Sequence, residues 1–145
     1  RVLDLSGNRF GGTLLGEAVG MLMYLKVLKL SNNTFTGPLP EDLGNLQSLD
    51  TLELDGNGFS GTVPPVLASL ILLEELNLSF NDLTGSLDFM CGRNDPIDAF
   101  RSDCWPNSNS SQGREGVTCA CCTLCCGLNE RGGGDCRENA EMTLG

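Results

Sequence analysis

Residues 25–49 read LKVLKLSNNTFTGPLPEDLGNLQSL, and the chain writes this stretch again and again in altered wording. Aligned on the Asn that closes each leucine run, four rows appear: RVLDLSGNRF from Arg1, KVLKLSNNTF from Lys26, DTLELDGNGF from Asp50 and EELNLSFNDL from Glu74. Their starts lie 25, 24 and 24 residues apart, with Asn8, Asn33, Asn57 and Asn81 in register behind Leu5, Leu30, Leu54 and Leu78. A fixed period in the twenties, with Leu-x-Leu ahead of an Asn, marks a solenoid built from strand-plus-turn units.

One unit can be read from its residues. Apolar and polar residues alternate through Leu28-Lys29-Leu30-Ser31, which predicts a short strand with one face turned inward. Leu25, Leu28, Leu30, Phe35, Leu39, Leu43, Leu46 and Leu49 supply the interior of the coil. Burying them does not offset the ordering of a whole unit's backbone, so units must stack to fold. Asn33, at the turn after the strand, is expected to bond main-chain groups that no regular ladder satisfies. Asn8, Asn57 and Asn81 repeat it as a structural ladder. Gly37, Pro38 and Pro40 hold the return segment extended. Glu41 and Asp42 then open a short helix that Gly44 is expected to end.

With these residues in place, LxxLxLSxNxFTGPLPxxLGxLxxL resembles the plant-type leucine-rich repeats of extracellular receptor ectodomains and polygalacturonase inhibitors, over residues 1–88. The resemblance implies an α/β solenoid, a right-handed superhelix. It also implies a concave parallel sheet, short helical or 3-10 and extended segments on the convex side, and a second small strand near GPLP.

The rows are not equal. Row one continues as RFGGTLLGEAVGMLMYL, lacks the proline of its successors, and is expected to return more loosely, with Met21, Leu22 and Met23 in the core. Row four loses the pattern at Asp88, where the solenoid is expected to close. Arg1 falls in the middle of a unit, as in a piece of a longer chain, and the face around Val2, Leu3 and Leu5 is expected to be only marginally stable without a neighbour. No signal-like segment and no run of eighteen apolar residues is present.

Strand positions pointing away from the core are Val2, Asp4, Ser6 and Gly7; Val27, Lys29, Ser31 and Asn32; Thr51, Glu53, Asp55 and Gly56; Glu75, Asn77, Ser79 and Phe80. The candidate partner-binding residues among them are Asp4, Lys29, Glu53, Asp55, Glu75, Asn77 and Phe80. Phe80 is expected to pack under the segment that follows, with service as an apolar anchor as its other use. The chain carries a formal charge of −10 and no histidine. Residues 1–90 hold eleven acids and four bases, −7 of that total. Such a surface disfavours nucleic acid and anionic membranes and suits a basic protein or peptide.

Past residue 90 the composition changes. All eight cysteines lie there: Cys91, Cys104, Cys119, Cys121, Cys122, Cys125, Cys126 and Cys136. An even number at the end of a solenoid reads as a disulfide-stapled cap over residues 89–126. Adjacent cysteines have Cα atoms ~3.8 Å apart, too close for the usual bridge, so Cys121 and Cys122, and Cys125 and Cys126, are expected to pair with other partners. The segment AFRSDCWP followed by VTCACCTLCC is similar to the cap of secreted leucine-rich repeat proteins of diatoms and related algae, which implies an extracellular or cell-surface setting. Thiolate binding of zinc or copper is the competing reading of CACCTLCC. Sequons stand at Asn32, Asn77 and Asn109. Residues 127–145, almost without apolar content, are expected to form a flexible tail.

Catalysis finds no support in the residues. Without histidine there is no Ser-His or Cys-His nucleophile, no phosphate-cradling glycine loop is present, and Glu53, Asp55 and Glu75 on an open sheet gain little burial to split their proton affinities. The sequence therefore predicts a non-enzymatic recognition module without cofactor or metal, its alternatives being an inhibitor of a secreted carbohydrate-active enzyme or a metal-binding cysteine cluster on a structural solenoid.

Overall fold

The computed structural model describes residues 1–94, 96–103, 117–120, 122–128 and 134–138, the last five and 125–128 by backbone alone. In chain order its strands are β1 (Val2–Asp4), β2 (Gly11–Thr13), β3 (Val27–Lys29), β4 (Thr34–Gly37), β5 (Thr51–Glu53), β6 (Gly58–Thr62), β7 (Glu75–Asn77), β8 (Asp82–Ser86), β9 (Ala99–Ser102), β10 (Val117–Thr118), β11 (Leu124–Leu128) and β12 (Gly134–Glu138). They form two sheets. The larger runs β1-β3-β5-β7-β9-β11-β12 and the smaller β10-β8-β6-β4-β2. Each unit gives one strand to each sheet, then returns through a helical turn: α1 (Gly16–Gly20) in the first row and 3-10 turns at Glu41–Asn45, Pro65–Ser69 and Asp88–Met90 in the others.

The register follows from the repeat. Leu3, Leu28, Leu52, Leu76 and Phe100 lie side by side across parallel strands, because a period of two puts every second residue on the inner face. All eight apolar residues expected to fill the second unit are buried, Leu43, Leu46 and Leu49 completely. Phe35 and Phe59 stack with centroids 6.0 Å apart. The fold is therefore a leucine-lined coil in which each turn is covered by its neighbours.

Several local expectations need correction. The first return segment is not looser: lacking proline, it keeps its amide donors and closes an α turn, Val19 N–H donating to the Leu15 carbonyl at 3.1 Å. Met21, Leu22 and Met23 are 75%, 38% and 51% exposed and lie outside the core, whereas Val19 and Leu25 are inside. Gly44 sits within its 3-10 turn rather than ending it; a Cβ there would meet Val66 of the next row at 3.0 Å. Ser31 and Ser79 alternate outward in the pattern but are buried.

The repeat wording stops at residue 88, yet strand pairing continues. Ala99, Phe100 and Arg101 pair in parallel with Glu75, Leu76 and Asn77, and Val117–Thr118 extends the smaller sheet beside β8. Residues 134–138, read as part of a flexible tail, form β12 antiparallel to β11. Backbone pairing needs an extended chain and not an apolar one, which is why low hydrophobicity misled there. Among the described residues no helix is long and apolar enough to cross a membrane.

Candidate binding surface

The side chains that hold the turns come first, because they fix the strands that carry the surface. Asn33, Asn57 and Asn81 use the same bonds in successive rows. Asn57 Nδ2 donates to the carbonyls of Leu30, Leu54 and Asp55 at 3.0, 3.0 and 3.3 Å, while its Oδ1 accepts the Phe35 N–H at 3.1 Å. Asn33 and Asn81 repeat this toward Leu5 and Leu54 of the rows before them. Asn8 makes only the two bonds within its own turn and is exposed.

Behind each strand the chain bends through the left-handed region at Gly7, Asn32, Gly56 and Phe80, with φ of 67°, 55°, 65° and 56°. Glycine and asparagine tolerate that bend; a bulky phenylalanine does so at a cost of about 1–2 kcal/mol. Asp103 holds it in place. Its carboxylate accepts the Phe80 N–H at 2.7 Å and the Asn81 N–H at 2.8 Å. In the row before, the same two positions, Gly56 and Asn57, donate to the carbonyls of Ser79 and Phe80. Asp103 thus substitutes a side-chain carboxylate for the main chain of a further turn. Burial pushes its carboxyl above the ordinary value of 3.8, against the two backbone donors and with a small contribution from Asp82.

On the outer face of the larger sheet, Asp4, Lys29, Glu53, Asn77 and Arg101 form one column in register. Val2, Val27, Thr51, Glu75 and Ala99 form the next. Lys29 Nζ meets Glu53 Oε1 at 2.8 Å, and this hydrogen bond first, then the carboxylates of Glu53, Asp4 and Glu75, raises the lysine's proton affinity. Asp4 accepts the Ser6 N–H at 3.0 Å, which lowers its carboxyl below the usual range. Asp55 does not point freely outward: it accepts the Ser31 hydroxyl at 2.6 Å. Asn77 Oδ1 accepts the Ser79 N–H at 3.2 Å and the residue is half-buried. Phe80 is half-buried as well.

The register brings Glu53, Glu75 and Asn77 together around a shallow hollow and keeps Asp4 two strands away from it. Ala99 and Arg101 line the same hollow, and the reading of the four rows missed them. The signal was present: AFRS alternates like a strand, with buried Phe100 and Ser102 either side of exposed Arg101, but without Leu-x-Leu and Asn it does not align.

In the cap, Cys119 and Cys122 are bridged, with Cα atoms 5.6 Å apart, and Cys91 is disulfide-bonded. The first bridge removes two thiolates from the CACCTLCC cluster, and among the described residues no group of three metal-ligating side chains converges. Cys104 and Cys121, and the side chains of Cys125, Cys126 and Cys136, lie outside the described residues, as does the sequon at Asn109. Asn32 is exposed, whereas Asn77 lies on the sheet itself.

Comparison with known proteins places this geometry. The Leucine Rich Repeat family model matches residues 1–21, 24–46 and 48–70, and a second Leucine Rich repeat model matches 70–86. The chain is similar to the leucine-rich repeat receptor-like serine/threonine-protein kinase SKM1 of Arabidopsis thaliana, with 44% identity over 41 residues, 28% of this chain and 4% of the relative. Among solved structures it resembles that of PEPR1–AtPEP1, at TM-score 0.62 and 40% identity, over 70% of this chain and 14% of the other. It also resembles the Arabidopsis receptor kinase HAESA in complex with the peptide hormone IDA and the co-receptor SERK1, at TM-score 0.57 and 33% identity, over 64% of this chain and 16% of that one. The chain spans a small part of each of these relatives.

Proposed function

The chain belongs to the leucine-rich repeat family, and from that premise we propose that it is a non-enzymatic recognition module working outside the cell or at its surface, which binds a protein or peptide partner across the outer face of the larger sheet. The observation that carries this reading is the sheet itself: four parallel strands hold Lys29, Glu53, Glu75, Asn77 and Arg101 at fixed spacing on a rigid scaffold. A surface set by main-chain pairing is organised before a ligand arrives, which lowers the ordering cost of binding. The similarity to HAESA, solved with a peptide hormone, supports a ligand of that class.

The acidic excess of rows three and four favours a basic partner. Glu53 and Glu75 belong to that charge, while Asp55 is committed to Ser31. The test is the double substitution Glu53→Lys with Glu75→Lys, both on the sheet surface, with Asp55 left in place. Affinity for a basic partner should fall by about tenfold or more, with a steep salt dependence in the native protein, while the circular dichroism stays unchanged. Undiminished affinity in a folded variant would remove the sheet face from the proposal.

A further inference from the structure

The hollow on the outer face of the larger sheet has a volume of about 90 Å³ and is lined by Glu53, Glu75, Leu76, Asn77, Ala99 and Arg101. Its origin is a single small residue. The column that holds Val27, Thr51 and Glu75 in successive rows ends at Ala99, and the space a longer side chain would fill is left open beside Glu75. At ~30 Å³ per liquid water, it takes a charged head group and not a whole large side chain.

The charges around it are not equally available. Glu53 is held by Lys29 at 2.8 Å, and Asn77 Oδ1 is occupied by the Ser79 N–H, which leaves the amide nitrogen to donate. Glu75 and Arg101, one of each sign, are both exposed and enter no ion pair among the described residues. Glu75 lies directly opposite Ala99, with Arg101 two residues further along the adjacent strand. At about 4.8 Å between strands and about 3.3 Å per residue, their Cα atoms are roughly 8 Å apart.

We propose that this hollow is a two-charge subsite for an extended peptide segment carrying a basic and an acidic side chain two positions apart, the basic one on Glu75 and the acidic one on Arg101. It rests on the sheet-face reading above and narrows it from a basic partner to one with paired opposite charges. Side chains at i and i+2 of an extended chain project to one side about 6.7 Å apart, a span the long Glu and Arg side chains reach. The residue between them points away from the sheet and is unconstrained.

The probes are four immobilised peptides of one neutral background carrying Lys-x-Glu, Glu-x-Lys, Lys-x-Lys or Glu-x-Glu at the same place, titrated with the protein at low salt. One mixed peptide should bind roughly fivefold more tightly than either like-charged peptide, the size of effect expected of two solvent-facing ion pairs. Glu75→Arg combined with Arg101→Glu should transfer the preference to the opposite mixed order. Ala99→Leu should erase it with no change of charge. An order of preference unaltered by the reversal, Lys-x-Lys binding as well as the better of the two mixed peptides, or no binding of any of the four would each overturn the subsite. Failure of the sheet-face reading is seen separately, as unchanged partner affinity after Glu53→Lys with Glu75→Lys.

Discussion

Asn57 makes four main-chain hydrogen bonds, three as donor and one as acceptor, that tie two successive rows together. Replacing it by Ala takes the acceptor from the Phe35 N–H, at about 1–3 kcal/mol for a group that water cannot reach, while the carbonyls of Leu30, Leu54 and Asp55 keep donors in Asn33, Asn81 and the Asn32 N–H. Asn57→Ala should lower the unfolding free energy in urea by about 1–3 kcal/mol, and Asn8→Ala, whose two bonds are local and exposed, by under about 1 kcal/mol. Equal costs would mean that the bonds act through the local turn alone. Asp103 makes a different prediction, in pH. Its folded carboxyl is raised above the ordinary 3.8, so in the window from 3.8 upward the folded chain keeps a proton that the unfolded chain has lost. Stability from this group is therefore greatest below 3.8, falls as pH rises through the folded value, and is level beyond it. Asp103→Asn lacks that titration, so the stability of the native protein minus that of the variant should decline across the window. A difference that grows with pH would show that the two N–H donors outweigh burial. Asn57 was legible in the sequence because its role recurs in register. Asp103 was not, because its job is done once, at the last turn, by a different residue type.

Each element has a legible part and a part set by its neighbour. The strands follow from alternation within a row, and the return turns from Pro40 or Pro64 with the residues behind them. The spacing of one turn from the next is a property of two rows, and Gly44 shows it. A methyl group there would meet Val66 Cβ and Cγ2 at 3.0 Å, so the glycine is a point of close approach between consecutive 3-10 turns. Read alone it resembles a helix stop, since nothing in row two says what row three will press against it. Gly44→Ala should cost about 1–2 kcal/mol through overpacking, and Val66→Ala in the same chain, which removes Cγ2 but keeps Cβ, should return part of that loss. Because the pair is in contact, the double-mutant cycle should give a favourable coupling. Costs that merely add would place the strain elsewhere.

At the scale of the whole molecule, each row touches only the rows beside it, so stability is expected to be distributed along the coil rather than held in one centre. The distal end depends on devices the repeat does not supply. Phe100 N–H donates to Thr123 Oγ1, and Thr123 N–H to the Phe100 carbonyl, both at 2.8 Å, while Leu87 N–H donates to the Thr118 carbonyl at 2.8 Å. Between these contacts, where the chain leaves the smaller sheet at β10 for the larger at β11, lies the Cys119–Cys122 bridge. The cysteine count announced a stapled end, but not that the staple lies where the chain passes from one sheet to the other; that needed the pairing of both sheets. A four-residue loop closed by a disulfide stabilises by about 2 kcal/mol in the chain-entropy account. Substituting both cysteines by serine should therefore speed native-state amide exchange at Leu87 and Thr123 by about thirtyfold. Leu54, which donates to the Asn77 carbonyl at 2.9 Å in the central rows, should keep its protection. The two groups of amides report on different openings, one confined to the cap and one requiring the coil to come apart. Equal acceleration at all three would mean that the cap and the coil unfold as a single unit, and that the nearest-neighbour picture does not hold for this chain.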